Sequence, residues 1–164
     1  MTSFQLDPDK VTLGQARKWL ESLKEQGVVC PCCSQFAKVY KRKLNSSMAR
    51  GLLTLYRFAK AHPNEERFHI PSIFREKKVC SSNDGSLLRH WGLIEPFTGI
   101  RKDGSKRVGH YRLTPLGVKF ALGSASVKAY AILFNEALIR LEGEPTTIKD
   151  ALGKKFSYEE LMSR

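Results

Sequence analysis

The residues best suited to chemistry are three cysteines that fall within four positions near the front of the chain. They are Cys30, Cys32 and Cys33 in the stretch "VVCPCCSQFAKVYKRK", and Cys80 is the fourth cysteine of the sequence. The Cys-Pro-x-Cys spacing is typical of a tight turn that brings two thiolates to one metal ion, but a structural zinc needs four ligands. We therefore expect no cofactor. The alternative is one structural zinc held by Cys30, Cys33, Cys80 and one of the dispersed histidines.

Catalytic uses of these thiols have little support in the sequence. A redox C-x-x-C normally opens a helix of an α/β fold, and a cysteine nucleophile needs a histidine base, yet the next histidine along the chain is His62. No Gly-rich phosphate loop or H-E-x-x-H motif occurs. The acidic residues are scattered, which argues against a nuclease with two metal ions. We expect a protein that is not an enzyme.

The charge pattern indicates an acidic partner. The net charge is +12, and the excess lies in the centre of the chain, where residues 28–60 hold seven basic and no acidic side chains. Residues 81–123 hold seven basic side chains against three acidic ones, while both ends are neutral. A basic block between neutral flanks is typical of a surface that binds a polyanion such as nucleic acid. The alternative is a solvated basic surface that serves solubility alone.

The sequence contains no apolar run of membrane-spanning length and no secretory signal pattern at its start, "MTSFQLDPDK". We expect a cytoplasmic protein with no membrane partner, in which the thiols stay reduced.

Hydrophobic periodicity, capping residues and turn signals predict an α+β fold. Thr12 is expected to cap a helix that runs to Gln26, Asn45 or Ser46 to cap the next helix, and Thr114 to cap the helix that ends before Gly123. The Asp103-Gly104 pair is expected to turn a hairpin. The predicted elements are helix 12–26, strand 37–44, helix 45–62, helix 71–79, helix 82–91, a hairpin within 93–114, helix 114–122, a hairpin within 127–143 that turns at 135–136, and short helices within 146–153 and 157–162.

The central elements carry a pattern in which "WGLIEP" ends a helix, a hairpin with a basic tip follows, and "YRLTPLGVKFA" leads into the next helix. This order resembles the winged-helix DNA-binding domain over residues 45–122. The resemblance implies a recognition helix in the major groove and a wing along the DNA backbone. It implies double-stranded DNA as the partner. The expected contacts are Ser82, Asn83, Ser86, Arg89 and His90 on the exposed side of the recognition helix, Arg101, Lys102, Lys106 and Arg107 on the wing, and Lys38, Lys41, Arg42 and Lys43 on the basic strand.

A second resemblance covers most of the chain. The segments "CPCC-QFAKVYKRK" and "IKDALGKKF-YEELM" are similar to segments of a set of phage-encoded proteins, which implies a viral regulator in the cytoplasm of a host cell. It brings no assigned activity. Two functions stay open: non-catalytic DNA binding that regulates transcription or replication, or capture of a host polymerase, nuclease or defence factor. The second would use the winged helix or the C-terminal part, where "KAYAILF" would present a strand edge and "YEELM" a free helix.

Together these patterns predict three parts. Residues 1–44 form an N-terminal helix, a Cys-rich turn and a basic strand, residues 45–123 a winged-helix domain, and residues 124–164 a hairpin with short helices. The N-terminal helix or the C-terminal hairpin would serve as the interface of a homodimer.

Overall fold

The computed structural model describes residues 7, 9–79, 82–97, 99–100, 103–104 and 109–163, with the backbone alone at positions 82 and 83. Helices and antiparallel sheets combine in an α+β fold, which confirms the predicted class. The elements are α1 (Leu13–Leu23), β1 (Val28–Val29), β2 (Phe36–Ala37), β3 (Tyr40–Lys43), α2 (Ser46–Ala61), β4 (Phe68–His69), α3 (Ile70–Glu76), α4 (Ser82–Leu87), β5 (Ile94–Pro96), β6 (His110–Leu113), α5 (Pro115–Ala121), β7 (Val127–Phe134), β8 (Ala137–Thr146), α6 (Ile148–Leu152) and α7 (Tyr158–Ser163).

The described chain divides into two compact units. The first unit contains described residues of Met1–Arg42 and Ile132–Arg140, and the second contains those of Lys43–Ala131 and Leu141–Arg164. Each unit is treated by itself below. The predicted division into residues 1–44, 45–123 and 124–164 stays a prediction.

In the first unit, α1 begins where the sequence predicts and ends three residues earlier than predicted. The hydroxyl oxygen of Thr12 accepts the backbone N–H of Gln15, whose side chain accepts the N–H of Thr12 in return, so a capping box starts the helix. The N–H of Gly27 donates to the carbonyl oxygen of Leu23 (3.1 Å) and closes the last turn at a backbone φ of +91°. Strands β1 and β2 follow as an antiparallel pair, with Val28 opposite Ala37 and Val29 opposite Phe36.

The second unit is built around α2. The side-chain oxygen of Asn45 accepts the N–H of Met48 (2.9 Å), so Asn45, one of the two expected residues, caps the helix. Met48, Leu52 and Leu55 are buried, as their helical spacing predicts. Helices α3 to α7 all pack against α2, and α3 also packs against α4, so one amphipathic helix organises most of this core.

A three-stranded antiparallel sheet completes the centre of the second unit. Its strand order is β4-β6-β5, with Phe68 opposite Tyr111 and Ile94 opposite Leu113. Along the chain, α2, β4, α3 and α4 precede the β5–β6 hairpin. Between α4 and β5, a 3₁₀ turn at Leu88–Trp91 ends at Gly92, whose φ is +68°. The chain therefore runs helix, strand, helix, helix and hairpin through this unit.

The C-terminal part differs from the prediction in two respects. Strand β7 lies between β3 and β8 in a second sheet, so the expectation that "KAYAILF" presents an exposed edge is wrong. Helix α7 contacts α2, and the hydroxyl of Tyr158 donates to the carbonyl oxygen of Ala121 (2.8 Å), so α7 is packed rather than free. The turn at Asn135 and Glu136 is confirmed, with φ values of +47° and +59° that suit a type I′ hairpin.

We predict that Gly117→Ala destabilises the second unit. A Cβ built at Gly117 would lie 2.0 Å from the carbonyl oxygen of Leu93, which is backbone and has no room to move aside. Overpacking of this kind costs about 1–3 kcal/mol of the free energy of unfolding. Chemical denaturation followed by circular dichroism measures the loss.

The matched control is Gly14→Ala, because Gly14 is also helical and a Cβ there would meet nothing within 4 Å. Alanine is the better helix former by about 0.5–1 kcal/mol, so this variant is expected to be as stable as the unchanged chain or slightly more stable. Equal stability of the two variants would show that the contact with Leu93 is not tight.

Candidate nucleic-acid interface

The cysteine turn is the loop of the β1–β2 hairpin. The N–H of Cys30 donates to the carbonyl oxygen of Gln35 (2.8 Å), and the N–H of Ser34 donates back to the carbonyl oxygen of Cys30 (2.9 Å). Ser34 adopts a φ of +58°, which the tight turn requires. Cys30 is half-buried, while Cys32 and Cys33 are exposed. Backbone hydrogen bonds therefore close this loop.

The cysteine turn shifts the pKa values of Cys30 and Cys32 in opposite directions. The Cys30 sulfur accepts hydrogen bonds from the backbone N–H groups of Cys32 and Cys33, and the bond from Cys32 has the larger effect. Both bonds lower the pKa of the Cys30 thiol, because they stabilise the thiolate. Partial loss of hydration at its sulfur raises the pKa of Cys32, and the nearby negative charge of a Cys30 thiolate raises it further. Cys30 is thus the more readily ionised of these two thiols.

Only two of the three cysteines proposed as zinc ligands lie in the described part of the chain. Cys30 and Cys33 share the turn, whereas Cys80 lies outside the described residues. Within the described ranges, no group of three or more His, Cys, Asp or Glu side chains is arranged to hold a metal ion. The cysteine turn supplies two thiols to any such site, and the remaining ligands stay a prediction.

The predicted basic strand is an exposed outer strand. Lys38 precedes β3, and Lys41, Arg42 and Lys43 lie within it, at the edge of the sheet with order β3-β7-β8. All four side chains are exposed. The Arg42 guanidinium lies 5.2 Å from the centre of the Tyr40 ring. This arrangement places positive charge where an acidic partner can reach it.

The predicted recognition helix matches α4 in position but not fully in orientation. Ser82 and Asn83 begin the helix, although their side chains lie outside the description. Ser86 and Arg89 are half-buried, and Nη1 of Arg89 donates to the carbonyl oxygen of Ser86 (3.0 Å). His90 is only 7% exposed, so the expectation that it faces outward is wrong. The 3₁₀ turn explains the error, because three residues per turn place different side chains against the core than an α-helix would.

The predicted wing is the β5–β6 hairpin. Its four predicted cations, Arg101, Lys102, Lys106 and Arg107, lie outside the described residues, which also leaves their distance from α4 undescribed. The base of the hairpin is well defined. Glu95 and Arg112 are opposite each other on the two strands, and Nε of Arg112 donates to a carboxylate oxygen of Glu95.

Thr114 connects the base of the β5–β6 hairpin to the 3₁₀ turn and to helix α5. Its hydroxyl donates to the carbonyl oxygen of Gly92 (2.6 Å) and accepts the N–H of Gly117 (2.9 Å) at the start of α5. The N–H of Thr114 donates to the carbonyl oxygen of Leu93 (3.2 Å). These bonds hold the segments "WGLI" and "RLTPLG" in contact with each other in the second unit.

Sequence reasoning missed a cationic groove beside α2, with a volume of about 440 Å³. It is lined by Arg50, Thr54, Arg57, Phe58, Ala61, His62, Lys77, Val79 and Leu161, with no acidic residue among them. The Arg50 guanidinium lies 4.3 Å from the Phe156 ring, and its buried Nε has no hydrogen-bond partner in the structure as described. The available signal was helical spacing, because Arg50 and Arg57 are seven residues apart and so lie on one side of α2.

Two exposed aromatic side chains were missed as well. Phe36 on β2 is 58% exposed and Tyr40 on β3 is 44% exposed. The signal was present in the sequence, because both rings alternate with lysine and arginine in a segment that has no acid. Aromatic rings among cations are a common arrangement at nucleic-acid interfaces.

Comparison with protein-family models, with curated proteins and with solved structures finds no match to this chain. In the parts of the chain that are described, no helix has both the length and the apolar character of a membrane span. Function is therefore inferred from the geometry of the chain itself.

We predict that Cys30 is alkylated faster than Cys32 at pH values below the ordinary thiol pKa of 9.0. The thiolate is the reactive form, and the lowered pKa gives Cys30 a larger thiolate fraction in this range. Iodoacetamide labelling at several pH values, read by mass spectrometry of the peptide, measures both rates. The difference should shrink as the pH rises above 9.0 and both thiols ionise.

The control is the same experiment in denaturant, where the hydrogen bonds to the Cys30 sulfur are lost and the two rates should converge. Faster labelling of Cys32 in the folded protein would contradict the described turn.

Proposed function

We propose that this chain is a non-catalytic, phage-type protein that binds double-stranded DNA and regulates transcription or replication in the host cytoplasm. The second unit would form a winged helix-turn-helix, with α4 entering the major groove and the β5–β6 hairpin as the wing. Strand β3 would add an accessory contact. A homodimer would place two such units on one DNA site.

The observation that carries this proposal is the topology of the second unit. Helix α2, strand β4, helices α3 and α4, and the hairpin β5–β6 follow one another, and β4 joins the hairpin beside β6. A short strand placed between the first two helices, which then pairs with the returning strand of the wing, is the arrangement expected of a winged helix. The fold alone does not select a ligand, because function depends on the site that a fold carries.

Charge supports DNA as the ligand. The segments expected to contact DNA belong to the two basic blocks of the sequence, residues 28–60 and 81–123, which contribute most of the net charge of +12. Phosphate contacts supply most of the affinity of such proteins and hold them in register on the duplex. Arg89 is the one predicted base-reading side chain whose environment is described, and its guanidinium already bonds to the Ser86 carbonyl. It would have to exchange that bond for a base edge.

Thr114 supports a fixed angle between helix and wing. It bonds to the carbonyl oxygens of both Gly92 and Leu93, at the point where the helical region passes into β5. A rigid base would let the wing and α4 contact one duplex without first paying the entropy of ordering the hairpin.

We predict that duplex binding depends steeply on salt and that the wing contributes to it. Fluorescence anisotropy with a blunt DNA duplex at increasing salt should give a linear fall of log affinity with log salt concentration. Because each phosphate contact contributes about 0.9 to the slope, Lys106→Ala with Arg107→Ala should reduce the slope by up to roughly 2.

The matched control is Lys154→Ala with Lys155→Ala, which removes the same charge from an exposed turn that the proposal does not use. This control should keep the slope of the unchanged chain. The proposal fails if the unchanged chain does not bind duplex at low salt. An equal loss in both double variants would assign the affinity to net charge and exclude the wing.

A second candidate function is capture of a host polymerase, nuclease or defence factor. The observation that favours it is strand β8, an outer strand of its sheet whose Leu138 and Ile139 are 42% and 43% exposed. An exposed outer strand can pair with a strand of a partner protein.

This second candidate function predicts that Leu138→Glu with Ile139→Glu abolishes binding to a purified host factor and leaves duplex affinity unchanged, as measured by pull-down and anisotropy. Equal capture by the variant would exclude β8.

A further inference from the structure

The first unit exposes a basic surface with two aromatic rings, and the duplex proposal uses its cations but not its rings. We define the aromatic segment as residues 36–42, which contains Phe36, Lys38, Tyr40, Lys41 and Arg42. We propose that the aromatic segment binds unpaired bases of a single-stranded nucleic acid, with Phe36 and Tyr40 stacking on bases and the cations contacting phosphates. The inference stands on the first unit alone and does not rest on the winged helix.

Phe36 is held in place while much of its ring stays open. In the register of β1 and β2 it lies opposite Val29, and the two side chains are 58% and 53% exposed. The ring also approaches the backbone at Gly27, where an added Cβ would lie only 2.5 Å from the ring carbon Cζ. Gly27 thus leaves room for the ring to rest against the main chain. A ring supported in this way loses little further freedom when a base stacks on it.

A cation accompanies the Phe36 ring. Cδ of Lys38 would lie 3.2 Å from the same added Cβ at Gly27, so the lysine stem and the ring approach the same point of the backbone. Lys38 is exposed, and it forms no ion pair with a residue in the described ranges. A stacking ring beside a lysine matches the alternation of base and phosphate along a single strand.

Tyr40 repeats this pairing on the next strand. Its ring is 44% exposed, and the Arg42 guanidinium lies 5.2 Å from the ring centre, two positions along β3. Arginine planes and tyrosine rings both stack on bases, so either group can receive one. Tyr40 lies four positions after Phe36, which limits the distance between their Cα atoms to about 14 Å. Bases of one short strand can therefore reach both rings.

Charge favours a nucleic acid over a protein as the occupant. The aromatic segment lies within residues 28–60, which contain no acidic side chain. A polyanion that carries flat aromatic groups complements both features of this surface. Duplex DNA complements only the charge, because its bases are stacked on one another and are not available to the rings.

The test compares two probes that differ only in their bases. One is a fluorescent oligothymidylate of about 15 nucleotides, and the other is an abasic strand of the same length with the same phosphates. The unchanged chain should bind the oligothymidylate about tenfold or more tightly, and Phe36→Ala with Tyr40→Ala should bind the two probes equally. Oligouridylate of the same length then distinguishes RNA from DNA.

The matched control is Leu13→Ala, which removes another exposed apolar side chain of the first unit (58% exposed) and should keep the preference for bases. Phe36→Trp provides a second readout if the double alanine variant does not fold, because its added fluorescence should be quenched by oligothymidylate and not by the abasic strand. Blunt duplex is measured alongside, so that loss of duplex binding with base preference intact refutes only the duplex proposal.

Three results would overturn this inference. The first is equal affinity of the unchanged chain for the two probes, which would reduce the surface to a phosphate contact. The second is a base preference that survives in the double alanine variant. The third is a change of oligomeric state in that variant without a change in base preference, which would assign the rings to a contact between two copies of the chain.

Discussion

The second unit depends on one close backbone approach, where helix α5 begins over the carbonyl group of Leu93. Gly117 makes this approach possible, because a side chain there would overlap the carbonyl oxygen. Thr114 then bonds to the carbonyl oxygens of Gly92 and Leu93 while its hydroxyl caps α5. A single threonine and a single glycine therefore join three elements: the 3₁₀ turn after α4, the strand β5 and the helix α5. The hairpin β5–β6 begins and ends at this junction, so its direction is set there.

An interaction can be predicted from the sequence when the residues that form it are close together along the chain. The caps at Thr12, Asn45 and Thr114 bond to a residue three positions on, and each one is confirmed because its cause lies within one helical turn. The hairpin turn at 135–136 is predicted for the same reason. The order of strands in the sheets is different in kind, because it depends on residues far apart in the chain. The sequence therefore suggests that "KAYAILF" is a strand without indicating that β3 and β8 would cover both of its edges.

The candidate site shows the same limit at His90. Helical periodicity places this residue outward only if the α-helix continues, whereas the structure tightens into a 3₁₀ turn before Gly92 and buries the imidazole. The side chains of the basic strand are exposed, as its composition indicates, because charged side chains are rarely buried in any fold. Composition did not reveal Phe36 and Tyr40, because an aromatic side chain is expected in a core unless the fold is known. Arg50, Arg57 and Lys77 were likewise missed, since their shared groove forms only when α2 and the end of α3 come together.

The exposure of Phe36 and Tyr40 has an energetic consequence that bears on function. Burying an aromatic side chain stabilises a fold by about 1.5–3 kcal/mol. Because these two rings are partly exposed, the small first unit gains only part of that free energy when it folds. At Gly27, the chain further accepts a glycine in the left-handed region, and the Phe36 ring rests against it instead of entering a core. The end of α1 accounts for the conformation of Gly27, but the packing of the first unit, whose α1 buries only Ala16 among its own residues, does not account for the exposed rings. A ligand that covers the rings would bury this apolar surface and so gain the free energy that folding leaves unused. Because the surrounding charge is positive, the ligand that fits is an anion with flat apolar groups, which is the chemistry of an unpaired nucleic-acid strand.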